Sequence, residues 1–569
     1  MQAATHGGPH RLAWSRAWRA WWRVSWCRLY LASPKRLSII LAVAFMIALC
    51  LQVLQQQGGG ALLLAPLASR LAFHAPDPAA TPSMFLGGKA DAAPAATTPP
   101  LLHLKAKVDN LTRDRLAEDV ARVYNLPDRY GEEHPPPLSG RRSCGTYPRL
   151  VDLSFNNLYW QMLHSSNGTF YLYSAFFDNR TRTAPATSVR ILAMADRLTP
   201  AVVTHCQLWY AGEAAPVTAR VVEYRYIWVR AYGNYRQGIL QPYLLQCVVP
   251  AARRHHVPLS VSLVEAECDR ARNNLRVVHE LPPPGEQKRD FAVCVKGLDI
   301  GADISLRIVE WLELLFLLGA DKVFMYDLGV HPNVSRVLRH YEAEGRVDLR
   351  TLTLPGDQPN ARGLVRPFLR AKITSKRQNE LIPYNDCLYR NKDLYRLVVL
   401  LDIDEVIMPR ATPDWRQLMR QLAPEAMAGL GNPYSSYYAR HVYFLDGMQE
   451  AHGWTADAPR FMHMLQHLHR ARNYTGPGSY VKAFHDPQRV LTLHNHFPFS
   501  CLPGGCRALS IPTEAAHLQH YRSDCVGELR GRCPDFRNHT VREDAILRFK
   551  EPLIQGVLRT LRRLGFLPR

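Results

Sequence analysis

No aspartate or glutamate occurs before Asp77. The acid-free start carries Arg11, Arg16, Arg19, Arg23, Arg28, Lys35 and Arg36. Residues 37–54 (LSIILAVAFMIALCLQVL) then hold no charge at all. That run is about as long as a helix needs to cross a hydrocarbon core. Its basic flank lies on the N-terminal side, which predicts a cytosolic N-terminus. Trp14, Trp18, Trp21, Trp22 and Trp26 suit a segment at a membrane interface. A cleaved signal peptide has a shorter basic region and a shorter apolar core. Residues 1–36 are therefore read as a cytosolic basic tail and 37–54 as an uncleaved transmembrane signal anchor, with the rest of the chain lumenal.

Zinc-module cysteine spacings are lacking, as are RNP and helix-turn-helix patterns. The net charge is +21, and seven of these positive charges precede the apolar run, leaving about +14 beyond it. A lumenal basic domain without such motifs argues against nucleic acid. It favours an anionic ligand such as a nucleotide diphosphate, or a membrane surface. Of the twelve cysteines, all but Cys27 and Cys50 follow the anchor. An even set in an oxidising lumen predicts disulfides, whose pairing spacing alone leaves open. Asn110, Asn167, Asn179, Asn333, Asn473 and Asn538 begin glycosylation sequons, all on the same predicted side.

Residues 55–142 lack periodicity and are rich in Ala, Pro and Thr, a composition that buries no core. They read as a stem, with a short helix over 101–124. Residues 143–285 hold short alternating runs separated by turn residues, the pattern of a β-sandwich-like domain. After Pro282, Pro283 and Pro284 the period changes. Strands near 291–295, 322–326 and 347–354 alternate with helices over 304–318 and 332–344, each closed by a glycine. A helix is expected over 370–392 despite Pro383, another over 415–430, and a basic amphipathic one over 546–566. The class is α/β, with a mostly parallel Rossmann-like sheet in residues 286–569.

The chemistry centres on residues 395–407 (YRLVVLLDIDEVI). An apolar strand runs straight into Asp402, Asp404 and Glu405. Ligands of open α/β sheets bind beyond the carboxyl ends of strands. Two carboxylates there, one residue apart, offer hard oxygen to Mg²⁺ or Mn²⁺. The pair reads as a metal site for a phosphorylated substrate; the plainer alternative is a solvated acidic turn. Asp327 also ends a strand and either lines the same cleft or caps its turn. His494 and His496 fall on one face of a strand expected over 490–497.

Seven ordered stretches resemble glycosyltransferase family 92: Cys294-Val-Lys296, Glu310-Trp-Leu-Glu-Leu, Met325-Tyr-Asp327-Leu-Gly, Asn385-Asp386-Cys387-Leu, Leu401-Asp-Ile-Asp404-Glu-Val, Lys482 through His496, and His520-Tyr-Arg522. The resemblance implies a GT-A catalytic domain, a UDP-sugar donor, a divalent metal and inverting transfer to a glycan or glycoprotein. Similar animal members are β-1,4-galactosyltransferases acting on fucose of the N-glycan core, in the Golgi membrane. Val406 departs from the phenylalanine frequent at that place in the motif. By the same resemblance Asp402, Asp404 and His496 hold the metal, and Lys296 and Arg522 are either contacts to the nucleotide sugar or surface charges; Asp327 joins the nucleotide-sugar candidates by its place at a strand end. The catalytic base is left among Glu405, Asp446, Asp457 and Asp486. Two other classes fit parts of the pattern. Asp402 and Asp404 match the nucleophile and acid of haloacid-dehalogenase-like phosphatases, and a non-catalytic Golgi glycan-binding protein could keep the metal site for sugar alone.

The topology is directly testable. Endoglycosidase should lower the mass of the expressed chain, and protease added to intact microsomes should spare all but its N-terminal tail. Loss of the C-terminal domain in that experiment would overturn the assignment.

Overall fold

The computed structural model describes residues 123–131, 144–180 and 187–568. The basic tail, the apolar run, most of the stem and Asn110 lie outside them. Among the described residues no helix is long and apolar enough to cross a membrane.

The alternating runs of the first domain become nine strands: β1 (Phe155–Asn157), β2 (Trp160–Ser165), β3 (Gly168–Asp178), β4 (Ser188–Ala195), β5 (His205–Trp209), β6 (Val217–Tyr226), β7 (Gln241–Val248), β8 (Ser260–Val264) and β9 (Leu275–Val278). Their order is β1-β2-β3-β4-β7-β6-β5-β8-β9, and β9 also pairs with β3. Pairing thus closes a ring from β3 round to β9, with β2 and β1 extending from it, where a sandwich of two separate sheets was expected. The register shifts within β3, between Leu172 and Ser174, and within β6, between Val221 and Glu223. Bulges of this kind bend long strands and let one strand serve two neighbours. Leu172, Ile191, Leu208, Leu245, Val261 and Leu263 fill the interior.

The loop carrying Pro282–Pro284 separates this ring from the second domain. There the order is β12 (Val347–Thr351), β11 (Lys322–Asp327), β10 (Arg289–Leu298), β13 (Tyr395–Leu400), β18 (Lys482–His485), β15 (Ser436–Ala439) and β21 (Ala508–Ser510). The first four strands are parallel; β18 pairs antiparallel to β13 and to β15. A small sheet of β14 (Glu405–Pro409), β22 (Ala516–Arg522) and β16 (His441–Leu445) lies beyond β13. The chain is therefore mixed α/β. From β10 it crosses to β11 on one side and later to β13 on the other. That reversal opens a crevice at the carboxyl ends of β10 and β13.

Helix α1 (Ser305–Leu318) follows the expected period and stops at Gly319, whose φ of 105° no β-carbon-bearing residue takes easily. Helix α2 (Pro332–Ala343) starts with proline in its first turn, where no N–H is needed. The helix expected over 370–392 is three pieces: Arg362–Ala371, Ile373–Asn379 and α3 (Leu381–Asn391). Pro383 falls in the first turn of α3, so it starts a helix rather than bending one. Pro424 likewise divides the helix expected over 415–430 into Trp415–Leu422 and Pro424–Met427. All ten cysteines beyond the anchor pair: Cys144–Cys268, Cys206–Cys247, Cys294–Cys387, Cys501–Cys506 and Cys525–Cys533.

The two domains meet through a buried charge. Arg180 is held by Asp178 at 2.7 Å and donates to the carbonyls of Pro487 and Val490 at 2.6 and 2.7 Å. Asp178 also accepts from Arg190 at 2.7 Å. Phe176 stacks on Tyr389 of α3 beside it. Replacing one member of such a buried pair leaves a desolvated charge and costs about 3–5 kcal/mol. Arg180→Met should lower the unfolding free energy by that amount, read from the shift of the denaturant midpoint by circular dichroism. An unchanged midpoint would mean that packing alone joins the domains.

Candidate active site

Leu397, Val398, Val399 and Leu400 of β13 are fully buried, which fixes the point where the chain leaves the sheet. Asp402 follows at once. A tight turn then forms: Glu405 N–H donates to the Asp402 carbonyl at 3.0 Å, and Asp402 N–H donates to Glu405 Oε2 at 3.0 Å. β14 carries the chain away from Glu405. The Trp311 indole of α1 donates to the Glu405 carbonyl at 2.9 Å and holds the turn from below. Three carboxylates thus crowd four residues.

Three cations keep them there. Lys296, near the end of β10, meets Asp402 Oδ1 at 3.0 Å. Lys482, at the start of β18 and fully buried, meets Asp402 Oδ2 and Glu405 Oε2 at 3.3 Å each. His520 of β22 meets Asp404 Oδ2 at 3.2 Å through Nε2. Burial alone would raise the Asp402 carboxyl. Lys296 and Lys482 outweigh it and hold the group well below the usual carboxylate range. Burial lifts Glu405 above its ordinary value despite Lys482. Burial would lower Lys296, but Asp402 and Glu380 hold it above its ordinary value. The Asp404 side chain is the open one, 41% exposed against 15% for Asp402 and 3% for Glu405.

Behind His520 stands His441 of β16, its Nε2 2.7 Å from His520 Nδ1. Burial and the charge of His520 push His441 well below the usual imidazole range, so it stays neutral. A neutral His441 can accept from His520 Nδ1–H. That leaves His520 Nε2 facing Asp404, with its orientation fixed from behind.

Asp402, Asp404, Lys296, Glu310, His463 and Arg522 share a cavity of about 400 Å³. Asp327 is not among its lining residues. Its carboxylate accepts from the N–H groups of Gly329 and Val330 at 2.8 and 3.0 Å, so it caps the turn after β11. β19 (Val490–Leu493) ends one residue before His494, and β20 (Pro498–Cys501) returns antiparallel to it. Residues 494–497 are the turn of that hairpin, so the two histidines do not share a strand face. His494 packs between Tyr232 and Phe497. His496 Nδ1 meets the Val481 carbonyl at 3.0 Å and makes no contact with Asp404.

The candidate bases also separate. Glu405 is buried against Lys482. Asp457 is 80% exposed and pairs with Lys550. Asp486 is buried and accepts from Gln488 N–H in a turn. Asp446 stands beside the cavity and accepts from His463, which lines it. Lys482 and His441 were missed by the sequence reading. A lysine inside the apolar run Tyr480 to Phe484 was the available sign, since buried lysines are nearly always paired.

Residues 289–555 match the model of glycosyltransferase family 92. The chain contains a domain of that family. A glycosyltransferase family 92 protein from Caenorhabditis elegans is 22% identical over 276 residues, 47% of this chain and 48% of that protein. The chain thus spans about half the length of the curated relative it matches. Among solved structures, the bifunctional glycosyltransferase WbbM in its apo form aligns over 30% of this chain and 28% of its own, at 13% identity and a TM-score of 0.15. That overlap carries no argument. The family match covers both the parallel strands and the small sheet, and so all the residues that gather around Asp402.

Removing the buried ammonium isolates its role. Lys482→Met leaves Asp402 and Glu405 facing each other, and stability should fall by about 3–5 kcal/mol. Lys296→Met, at a residue open to the cavity, should cost much less. Equal losses, compared by denaturant titration, would contradict the ranking.

Proposed function

We propose that this domain transfers galactose from UDP-galactose to a glycan hydroxyl with inversion, on a GT-A scaffold. Fucose of the N-glycan core is the acceptor that the family resemblance suggests. The observation that carries the reading is the placement of Asp402 and Asp404 at the strand-order reversal, in one cavity with Lys296 and Arg522. The parallel strands followed by the single reversed strand β18 support the scaffold. Residues 37–54 would anchor the chain as a single-pass type II protein of the Golgi membrane, and the five disulfides agree with a lumenal address.

The donor set fits a divalent cation. Carboxylate oxygen suits Mn²⁺ or Mg²⁺, and an imidazole suits Mn²⁺ better. Asp404 is the open carboxylate and would bind directly. Asp402, engaged by two lysines, is better placed to reach the ribose or to act through water. His520 is the imidazole that the contact to Asp404 favours; His496 remains the choice that the family pattern suggested. Bound there, the cation would neutralise charge growing on the leaving diphosphate. Lys296 and Arg522 present fixed positive charge to that group from the cavity wall. Lys482 keeps Asp402 oriented without reaching the solvent.

The phosphatase reading needs Asp402 as a free nucleophile. Both of its oxygens are engaged by lysines, and its strand is not the first of the domain. A glycan-binding protein without catalysis is separated by turnover.

Purified full-length chain should release UDP from UDP-galactose when given a core-fucosylated glycan. Asp404→Ala should abolish this while the thermal transition persists. His520→Ala should raise the Mn²⁺ needed for half-maximal rate by more than His496→Ala does. A folded Asp404→Ala protein with near-normal turnover would sink the reading.

A further inference from the structure

A second cluster of ligand-type side chains lies next to the cavity. Helix α4 (Asp446–His452) follows β16, and the short helix α5 (His463–Gln466) faces it. His463 Nε2 and His467 Nε2 both lie 3.1 Å from the same atom, Asp446 Oδ1. One ligand atom from each residue lies within 4.8 Å of the others. We propose that Asp446, His463 and His467 form a site for a borderline divalent cation, Zn²⁺ by preference, separate from the Asp402–Asp404 pair.

The hydrogen bonding of His467 points that way. Its Nδ1 lies 2.6 Å from the His463 carbonyl. A carbonyl only accepts, so Nδ1 carries the hydrogen and Nε2 is the nitrogen turned to Asp446 Oδ1. A proton or a metal ion can bridge that nitrogen and the carboxylate. An imidazole whose other nitrogen donates to a carbonyl is the usual form of a metal-bound histidine.

Geometry and donor type agree. On a tetrahedral zinc with bonds of about 2.0–2.1 Å, ligand atoms lie roughly 3.3 Å apart. The two observed nitrogen–oxygen distances are close to that. Two imidazoles with one carboxylate favour zinc, whereas the all-oxygen pair at Asp402 and Asp404 favours Mg²⁺ or Mn²⁺. The site is also built in advance. Buried Glu310 of α1 accepts the N–H groups of Met464 and Leu465 at 3.0 and 2.9 Å, and so fixes the segment that carries both histidines. Gln466 donates to the Ala458 carbonyl at 2.8 Å and accepts from Thr455 N–H at 2.8 Å.

The open side faces a groove. The histidines are 11% and 5% exposed, and Asp446 is 32% exposed. The groove is lined by Asp303, Arg307, Glu450, Trp454 and Arg460, and His463 lines both it and the catalytic cavity. A cation there would tie α4 to α5 across the wall between the two. It would also remove Asp446 from the choice of bases.

The test is metal content, read independently of transfer. The full-length chain is stripped with chelator, incubated with Zn²⁺ and desalted, and bound zinc is counted by mass spectrometry. Wild type should retain one equivalent, and so should Asp404→Asn. His467→Gln and Asp446→Asn should bind zinc more than about 100-fold more weakly, beyond what an outer-shell loss costs. Co²⁺ loaded in place of zinc should give the visible absorption of a four-coordinate site, absent in His467→Gln. Should His463→Ala fail to fold, those two milder variants still decide. Folded wild type without zinc would overturn the proposal. So would zinc retained by His467→Gln and Asp446→Asn, or zinc lost in Asp404→Asn, which would place it on the acidic pair. None of these outcomes depends on the glycosyltransferase reading.

Discussion

Three carboxylates within four residues at the end of a buried strand would repel one another without compensation. The candidate site depends on how Asp402, Asp404 and Glu405 are held. Lys296 comes from β10, Lys482 from β18 and His520 from β22. Each cation arrives from a different part of the chain, so the turn keeps its shape only in the assembled domain. The charges are divided unevenly. Asp402 is bound on both oxygens and Glu405 is buried, while Asp404 faces the cavity. A crowded acidic turn thereby yields one available carboxylate with fixed neighbours.

The first domain contributes to this through contact rather than chemistry. Arg180 reaches the loop and strand just before the β19–β20 hairpin, whose turn carries Asn495. Asn495 accepts from Lys482 at 2.7 Å and from Tyr384 at 2.9 Å. Arg180 of the first domain and the buried Lys482 ammonium therefore both bond to the one segment 487–495. Cys294–Cys387 adds a covalent tie between β10, which carries Lys296, and α3, which carries Tyr384. The site is braced on both sides of β13.

A second consequence follows from Glu310. Its carboxyl is buried and raised to about 7 by that burial, against the N–H groups it accepts from α5. It spends its hydrogen-bonding capacity on a helix end rather than on a ligand. The family-like stretch Glu310-Trp-Leu-Glu thus positions two neighbouring regions at once, Trp311 under the acidic turn and Glu310 under the His463 segment.

The amino-acid sequence by itself determined the alternation of elements and the acidic turn at the end of a buried strand. Apolar periods, glycine stops and the proline-rich boundary are local signals, and α1, α2, β11, β12 and β13 lie close to where those signals put them. Asp402 and Asp404 were legible because an apolar run followed at once by paired carboxylates is a local pattern. What only the tertiary structure decided was partnership. Cysteine pairing, the closure of β9 on β3, and the assignment of Lys482 and His441 to the acidic turn depend on residues far apart in the chain. His496 illustrates the difference. Spacing placed it on a strand face, but Pro498 opens the returning strand and the hairpin turns before the alternation can apply. His520, known only as part of a matching tripeptide, reaches Asp404 because β14 and β22 pair with Glu405 opposite His520. Register between distant strands is set by the buried faces of both, which no single stretch of sequence contains.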